Sequence, residues 1–163
     1  MAYYLAPALQ VLRDEINARW PSRDRSSDGW IGDAAHAART SDHNPNVRGS
    51  VNAIDVDRDG IDVAELLAAF QAHPSAQSWI FNRQIANRST GWSRRDYTGS
   101  NPHTGHVHLS IRQNATAEQD TTGWGLLRPG SIDPAPPPGT PAPVPPPTVP
   151  PPARRRPRMV IEC

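Results

Sequence analysis

The chain of 163 residues has one cysteine, Cys163, at its last position. An intramolecular disulfide is therefore impossible, and a cysteine-based structural zinc site is excluded. Any metal must be held by histidine and carboxylate. Lysine is absent, so all 17 basic residues are arginine. With abundant alanine and proline, this points to a high-GC coding genome and says nothing about function. No segment reaches the roughly 20 consecutive apolar residues of a membrane span. The opening stretch, MAYYLAPALQVLRDEINARW, has neither a basic leading region nor a long apolar core, and does not read as a signal peptide. The expectation is synthesis in a cytoplasm without an export signal, and no membrane insertion. A formal net charge of +1 argues against nucleic acid as a partner.

Proline is scarce at first and then abundant. Thirteen of the 19 prolines lie between Pro134 and Pro157. A tract of that composition forms an extended polyproline II spacer and cannot build a core. Residues 1–130 must therefore supply the folded domain. Residues 131–157 read as a linker. Residues 158–163 read as a tail, or the start of an absent second module. The arginines of 154–158 read as a solvated tail that could rest on an anionic cell wall.

Within 1–130 the periodicities predict an α+β domain, with a small antiparallel sheet carrying a site and helices on one face. Leu9, Leu12 and Ile16 recur at helical spacing, predicting a helix over 5–19 that ends at Pro21. Residues 22–50 read as a long polar loop, a length usually reserved for function or disorder. VNAIDVD, 51–57, reads as a strand with Val51, Ala53, Asp55 and Asp57 on one face. In DVAELLAAFQAH, Asp62 and Glu65 form a capping box that opens a helix. SWIFN and RQIAN suggest a strand or short hairpin, and 123–129 closes the domain through Trp124 and Leu126.

The densest chemistry is in NPHTGHVHLSIR, 101–112, with three of the six histidines. As a strand, HVHLSIR puts Val107, Leu109 and Ile111 on one face. His106, His108, Ser110 and Arg112 fall on the other. A hydrolytic zinc site needs three protein ligands and an open position. His43 in the polar loop, Asp55 on its strand and His108 would make that set. Asp57 shares the strand face of Asp55 and is the alternative carboxylate. His106 would act on the water or steady a developing oxyanion; otherwise it orients a ligand. His103 lies within reach, or is a turn residue after Pro102. His36 and His73 read as structural, the latter as a cation at a helix C-terminus. Trp79 and Trp92 read as core or cleft wall.

Ser41, His43, Gly49, Ala53 and Asp55, followed by His103, His106 and His108, resemble the zinc D-alanyl-D-alanine peptidases. These share a fold group with the lysostaphin-type peptidases and the hedgehog signalling domain. The stretch FNRQIAN…YTGSNPHTGHVHLSI is similar to actinobacteriophage endolysins. The resemblance covers roughly 28–112. It implies Zn2+ held by His43, Asp55 and His108, with His106 as catalytic base or oxyanion-side residue and His103 as auxiliary histidine. It also implies an arginine for a substrate carboxylate, Arg39 or Arg83. The spacing departs from the family's: His43 and Asp55 are twelve positions apart, where the family packs them more closely.

The function implied is cleavage of peptidoglycan stem peptides or cross-links during host lysis. The enzyme would wait in the host cytoplasm until the membrane is permeabilised. Two alternatives are a non-catalytic zinc-bearing wall-binding module and a virion tail-associated hydrolase. Either a wall-binding module or a virion component would attach through the C-terminal tail.

Overall fold

A computed structural model describes residues 3–32 and 40–127. The predicted linker and tail, 131–157 and 158–163, lie outside the described residues, as do Arg39 and His36.

Strand β1 (Tyr4–Leu5) leads into helix α1 (Pro7–Arg19). Proline at the first helical position fixes φ and gives up an N–H that the first turn could not have bonded anyway. The helix predicted from residue 5 thus begins at Pro7, because Leu5 is taken by strand pairing. Next come β2 (Ser50–Val51), β3 (Ala53–Asp57) and helix α2 (Val63–Ala72). The side chain of Asp62 caps α2 by accepting from the Glu65 N–H at 3.0 Å. Strands β4 (Ala76–Phe81) and β5 (Gln84–Asn87), a 3-10 turn (Arg88–Thr90) and β6 (Arg95–Asp96) precede β7 (His106–Ile111). The last element is a single helical turn, α3 (Ala115–Glu118).

The main sheet is antiparallel, in the order β3-β7-β4-β5-β6. A separate pair joins β1 to β2 in parallel. The predicted strand over 51–57 is therefore two strands of different sheets. Asn52 is the break. Its N–H bonds the Asp42 carbonyl and its own carbonyl takes the Ile111 N–H, so it serves neither ladder regularly. Its side chain donates to Glu118 at 3.0 Å.

One face of the sheet makes the core. Register pairs Ile54 with Leu109, Val56 with Val107 and Trp79 with Leu109. Leu9, Leu12 and Ile16 of α1 and Leu66 and Phe70 of α2 belong to the same buried cluster. Burying each such side chain contributes about 1.5–3 kcal/mol. The closing segment is tied down by polar bonds as well. Buried Glu15 accepts from the Trp124 and Leu126 N–H groups at 3.0 and 3.1 Å, and the Trp124 indole donates to the Ala8 carbonyl at 2.9 Å. Trp124 also stacks on His73, 3.8 Å between ring centroids. His73 is thus a buried ring rather than the dipole-stabilised cation its position suggested: burial pushes its pKa down, away from the charged form. Among the described residues, no helix is long and apolar enough to cross a membrane.

Candidate metal centre

The opposite face of the sheet carries the polar residues. Antiparallel register sets Asp55 directly across from His108, and Asp57 across from His106. Directly opposed residues share a face, so two imidazoles and two carboxylates meet on adjacent strands.

His43 comes from the polar segment that follows residue 40. The segment around Gly29 is fastened to the sheet edge by a bridge between Gly29 and Asp55, with main-chain bonds of 3.1 and 2.7 Å. The Gly32 N–H then bonds the His43 carbonyl at 3.0 Å, and the Asn52 N–H bonds the Asp42 carbonyl at 3.0 Å. His43 is consequently buried beside Asp55 rather than left in solvent. Its Nδ1 lies 3.2 Å from the Trp30 carbonyl. A carbonyl can only accept, so Nδ1 carries a proton and Nε2 is the atom turned toward His108 and Asp55.

His43 Nε2 is 3.1 Å from His108 Nδ1 and 3.3 Å from Asp55 Oδ2. His108 Nδ1 is 3.0 Å from Asp55 Oδ1. Zinc–ligand bonds of about 2.0–2.1 Å in a tetrahedron require ligand atoms about 3.3–3.4 Å apart. The three donors stand within a few tenths of an ångström of that spacing, and they form a group that could hold a metal ion. His108 Nε2 lies 2.9 Å from the Ser110 hydroxyl, which fixes the ring and turns Nδ1 toward the other two donors. Such outer partners set the orientation of metal-binding imidazoles.

Electrostatics agree with the geometry. Burial penalises the Asp55 charge, but hydrogen bonds from His108 and His43 outweigh it and hold the carboxyl well below its usual range. Burial likewise disfavours charge on His43, yet the Asp55 carboxylate raises its pKa above 6.5. Both shifts mark a pocket that favours positive charge beside Asp55.

Asp57 is otherwise engaged. It accepts from the Ser26 hydroxyl at 3.1 Å, the Ser27 N–H at 3.0 Å and the Asp59 N–H at 2.9 Å. These bonds, that from Asp59 first, lower its pKa. Asp57 pins the loop, and Asp55 is the carboxylate that meets His43 and His108.

His106 and His103 complete the cluster. His106 Nε2 is 3.8 Å from Asp55 Oδ1 and is buried without a hydrogen-bond partner. The His103 ring centroid is 4.9 Å from that of His106 and 5.5 Å from that of His108. His103 Nδ1 donates to the Asn101 carbonyl at 2.7 Å, leaving Nε2 as an acceptor. Burial, then the neighbouring His108 and His106, push its pKa down to about 4, so the ring is neutral.

A cleft of about 420 Å³ opens over His43, Asp55, His103 and His108. Residues 40–42, Ile80, Tyr97 and Asn101 line it as well, and sequence reasoning singled out none of them for the cleft except the Ser41 motif position. Ile80 could have been found, since it pairs with His108 across β4 and β7. Tyr97 could not, because it comes from an irregular segment that only tertiary packing lays against His103, 5.4 Å between centroids.

Of the two candidate arginines, only Arg83 is among the described residues, Arg39 lying outside them; Arg83 is exposed and does not line the cleft. Arg83 acts through its main chain. Asn82 and Arg83 both have positive φ, 47° and 62°, as a two-residue hairpin turn demands. Their N–H groups bond the carbonyls of His103 and Pro102, each at 2.9 Å, so the turn clamps the His103 loop. No family model matches the chain, and no curated protein and no solved structure matches it either.

Proposed function

We propose that the protein is a zinc-dependent peptidase that cleaves peptidoglycan stem peptides or cross-links, in the manner of a phage endolysin. The observation that carries this reading is the convergence of His43 Nε2, Asp55 and His108 Nδ1 at tetrahedral spacing beneath an open polar cleft. Bound zinc supplies a water whose pKa falls to about 7 and a Lewis acid that polarises a carbonyl. His43 and His108 present fixed lone pairs, and Asp55 supplies the one formal charge of the donor set. His106, whose unpartnered Nε2 lies 3.8 Å from Asp55 Oδ1 but is not among the residues that line the cleft, would take the proton of the attacking water and pass it on to the leaving amine once its ring turns toward the cleft. Neutral His103 can only accept at Nε2, so it orients a water or a substrate N–H rather than donating to an oxyanion. The peptidoglycan assignment is supported by the S-x-H, A-x-D and H-x-x-H-x-H residues and their resemblance to the wall peptidases.

The test is digestion of purified actinobacterial wall by the full chain, with and without chelator, followed by mass spectrometry of released muropeptides. Peptide-bond cleavage that chelator abolishes and Zn2+ restores is the expected result. Intact wall at every zinc concentration overturns the reading. A His106→Ala protein that still binds wall tightly, equal to a wild type that cuts nothing, would instead identify a binding module.

A further inference from the structure

Asp55 belongs to two groups of donors. The first is the triad with His43 and His108. The second is Asp55, His103 and His106, whose candidate ligand atoms all lie within 4.8 Å of one another. We propose that this second group is a distinct, weaker divalent-cation site bridged to the first through Asp55. The inference rests on the peptidase reading only for its consequence, which is that an ion there removes the lone pairs of His103 and His106 from catalysis.

Three features carry it. His106 Nε2 is buried and unpartnered, a state that native proteins seldom tolerate without a function. His103 is held at φ 50°, a left-handed backbone that costs a non-glycine residue on the order of 1 kcal/mol and persists only where the surroundings impose it. The imposition is visible: Asn101 grips His103 through both N–H and Nδ1, and the Asn82 N–H holds its carbonyl. Finally, one Asp55 oxygen faces both groups: Oδ1 lies 3.0 Å from His108 Nδ1 and 3.8 Å from His106 Nε2, while Oδ2 lies 3.3 Å from His43. A carboxylate that faces two donor groups can bridge two ions, as in paired sites about 3.5–4 Å apart.

The second site is the weaker for two reasons. Its donors are wider apart than those of the first triad, so the rings must move inward to close on an ion. Its carboxylate is already neutralised by the first cation, which also repels the second. Zinc itself is the probe. Metal-free full-length protein is dialysed against rising Zn2+, and bound metal is measured for wild type, His103→Ala and His106→Ala.

Wild type should bind two ions, the second about tenfold or more weaker, while each variant binds one. Histidine-ring 1H–15N spectra of wild type give a readout independent of variant folding: His43 and His108 respond to the first equivalent, His103 and His106 to the second. Wall digestion should rise with the first ion and fall with the second. One ion in wild type, with zinc-dependent digestion intact, overturns the second site and leaves the peptidase reading standing. Two ions persisting in both variants also overturn it. Two ions lost stepwise as described, without digestion at any zinc level, uphold the site and refute the peptidase reading.

Discussion

Ser110→Ala isolates the outer support of the metal centre with the least disturbance to the fold. Ser110 is completely buried, and its hydroxyl lies 2.9 Å from His108 Nε2. Alanine keeps the Cβ and the β7 main chain, so register with Ala53 and Ser78 survives. What is lost is the acceptor for the His108 N–H. With Ser110 fully buried, alanine leaves that N–H without its partner, at about 1–3 kcal/mol. Part of this appears as lower stability of the metal-free protein. The rest appears as freedom of the ring to turn Nδ1 away from His43 and Asp55. Loss of a partner of this kind weakens metal binding by about 10–100-fold, or roughly 1.4–2.7 kcal/mol. Competition against a chelating indicator near neutral pH measures it, with His108→Ala as the comparison. If Ser110→Ala binds Zn2+ within about twofold of wild type while His108→Ala does not bind, then Ser110 does not position the ring and the Nδ1 assignment fails.

Zinc affinity should fall as pH drops. His43 must be neutral to bind metal, and its pKa in the metal-free protein is raised above 6.5, so protons compete below that raised value at up to about tenfold per pH unit. Calorimetry in buffers of different ionisation enthalpy would detect the released proton; a flat profile between pH 5 and 8 refutes the His43 assignment. The metal-free protein should behave differently: its His43–Asp55 pair stabilises fully below 6.5 and is lost as pH rises through the raised His43 value. The Asp55 share is present above its ordinary 3.8 and is lost only as pH falls toward its lowered value. Thermal melts of chelator-treated protein should therefore peak in mildly acidic buffer. Glu118→Ala should cost about 1–3 kcal/mol, because buried Glu118 accepts from Asn52, Asn46 and Arg48 and its loss leaves the buried Asn52 amide unpaired while exposed Arg48 turns to water; denaturant unfolding checks it. Gly60→Ala should also destabilise, by about 1 kcal/mol or more, since Gly60 has φ +84° and an added Cβ would sit 2.9 Å from the Arg23 Cα; zinc stoichiometry should be unchanged.

Much of this molecule was legible along the chain. Alternation in HVHLSIR placed both imidazoles on one face, and helical spacing in α1 and the Asp62 cap marked the two long helices, because these signals are local; the Glu65 half of the expected box is not made, its carboxylate pairing with Arg19 instead. The hairpin turn at Asn82–Arg83 was harder to read, since neither residue is the glycine that positive φ usually recruits. Strand alternation could not separate Asp55 from Asp57, which share a face; only the resemblance at Ala53 and Asp55 favoured Asp55. Packing separated them: the loop residues Ser26 and Ser27 occupy Asp57, while the Gly29 bridge and the Trp30 carbonyl bring His43 to Asp55. The strand break at Asn52 has the same origin, a side chain committed to Glu118, 66 residues away. Sequence by itself determined which donors the chain has and which way two of them point, since both follow from residue chemistry and backbone period. Which donors meet was decided by tertiary structure alone, because it depends on how the polar segments around Gly29 and His43 are fastened to the edge of the sheet.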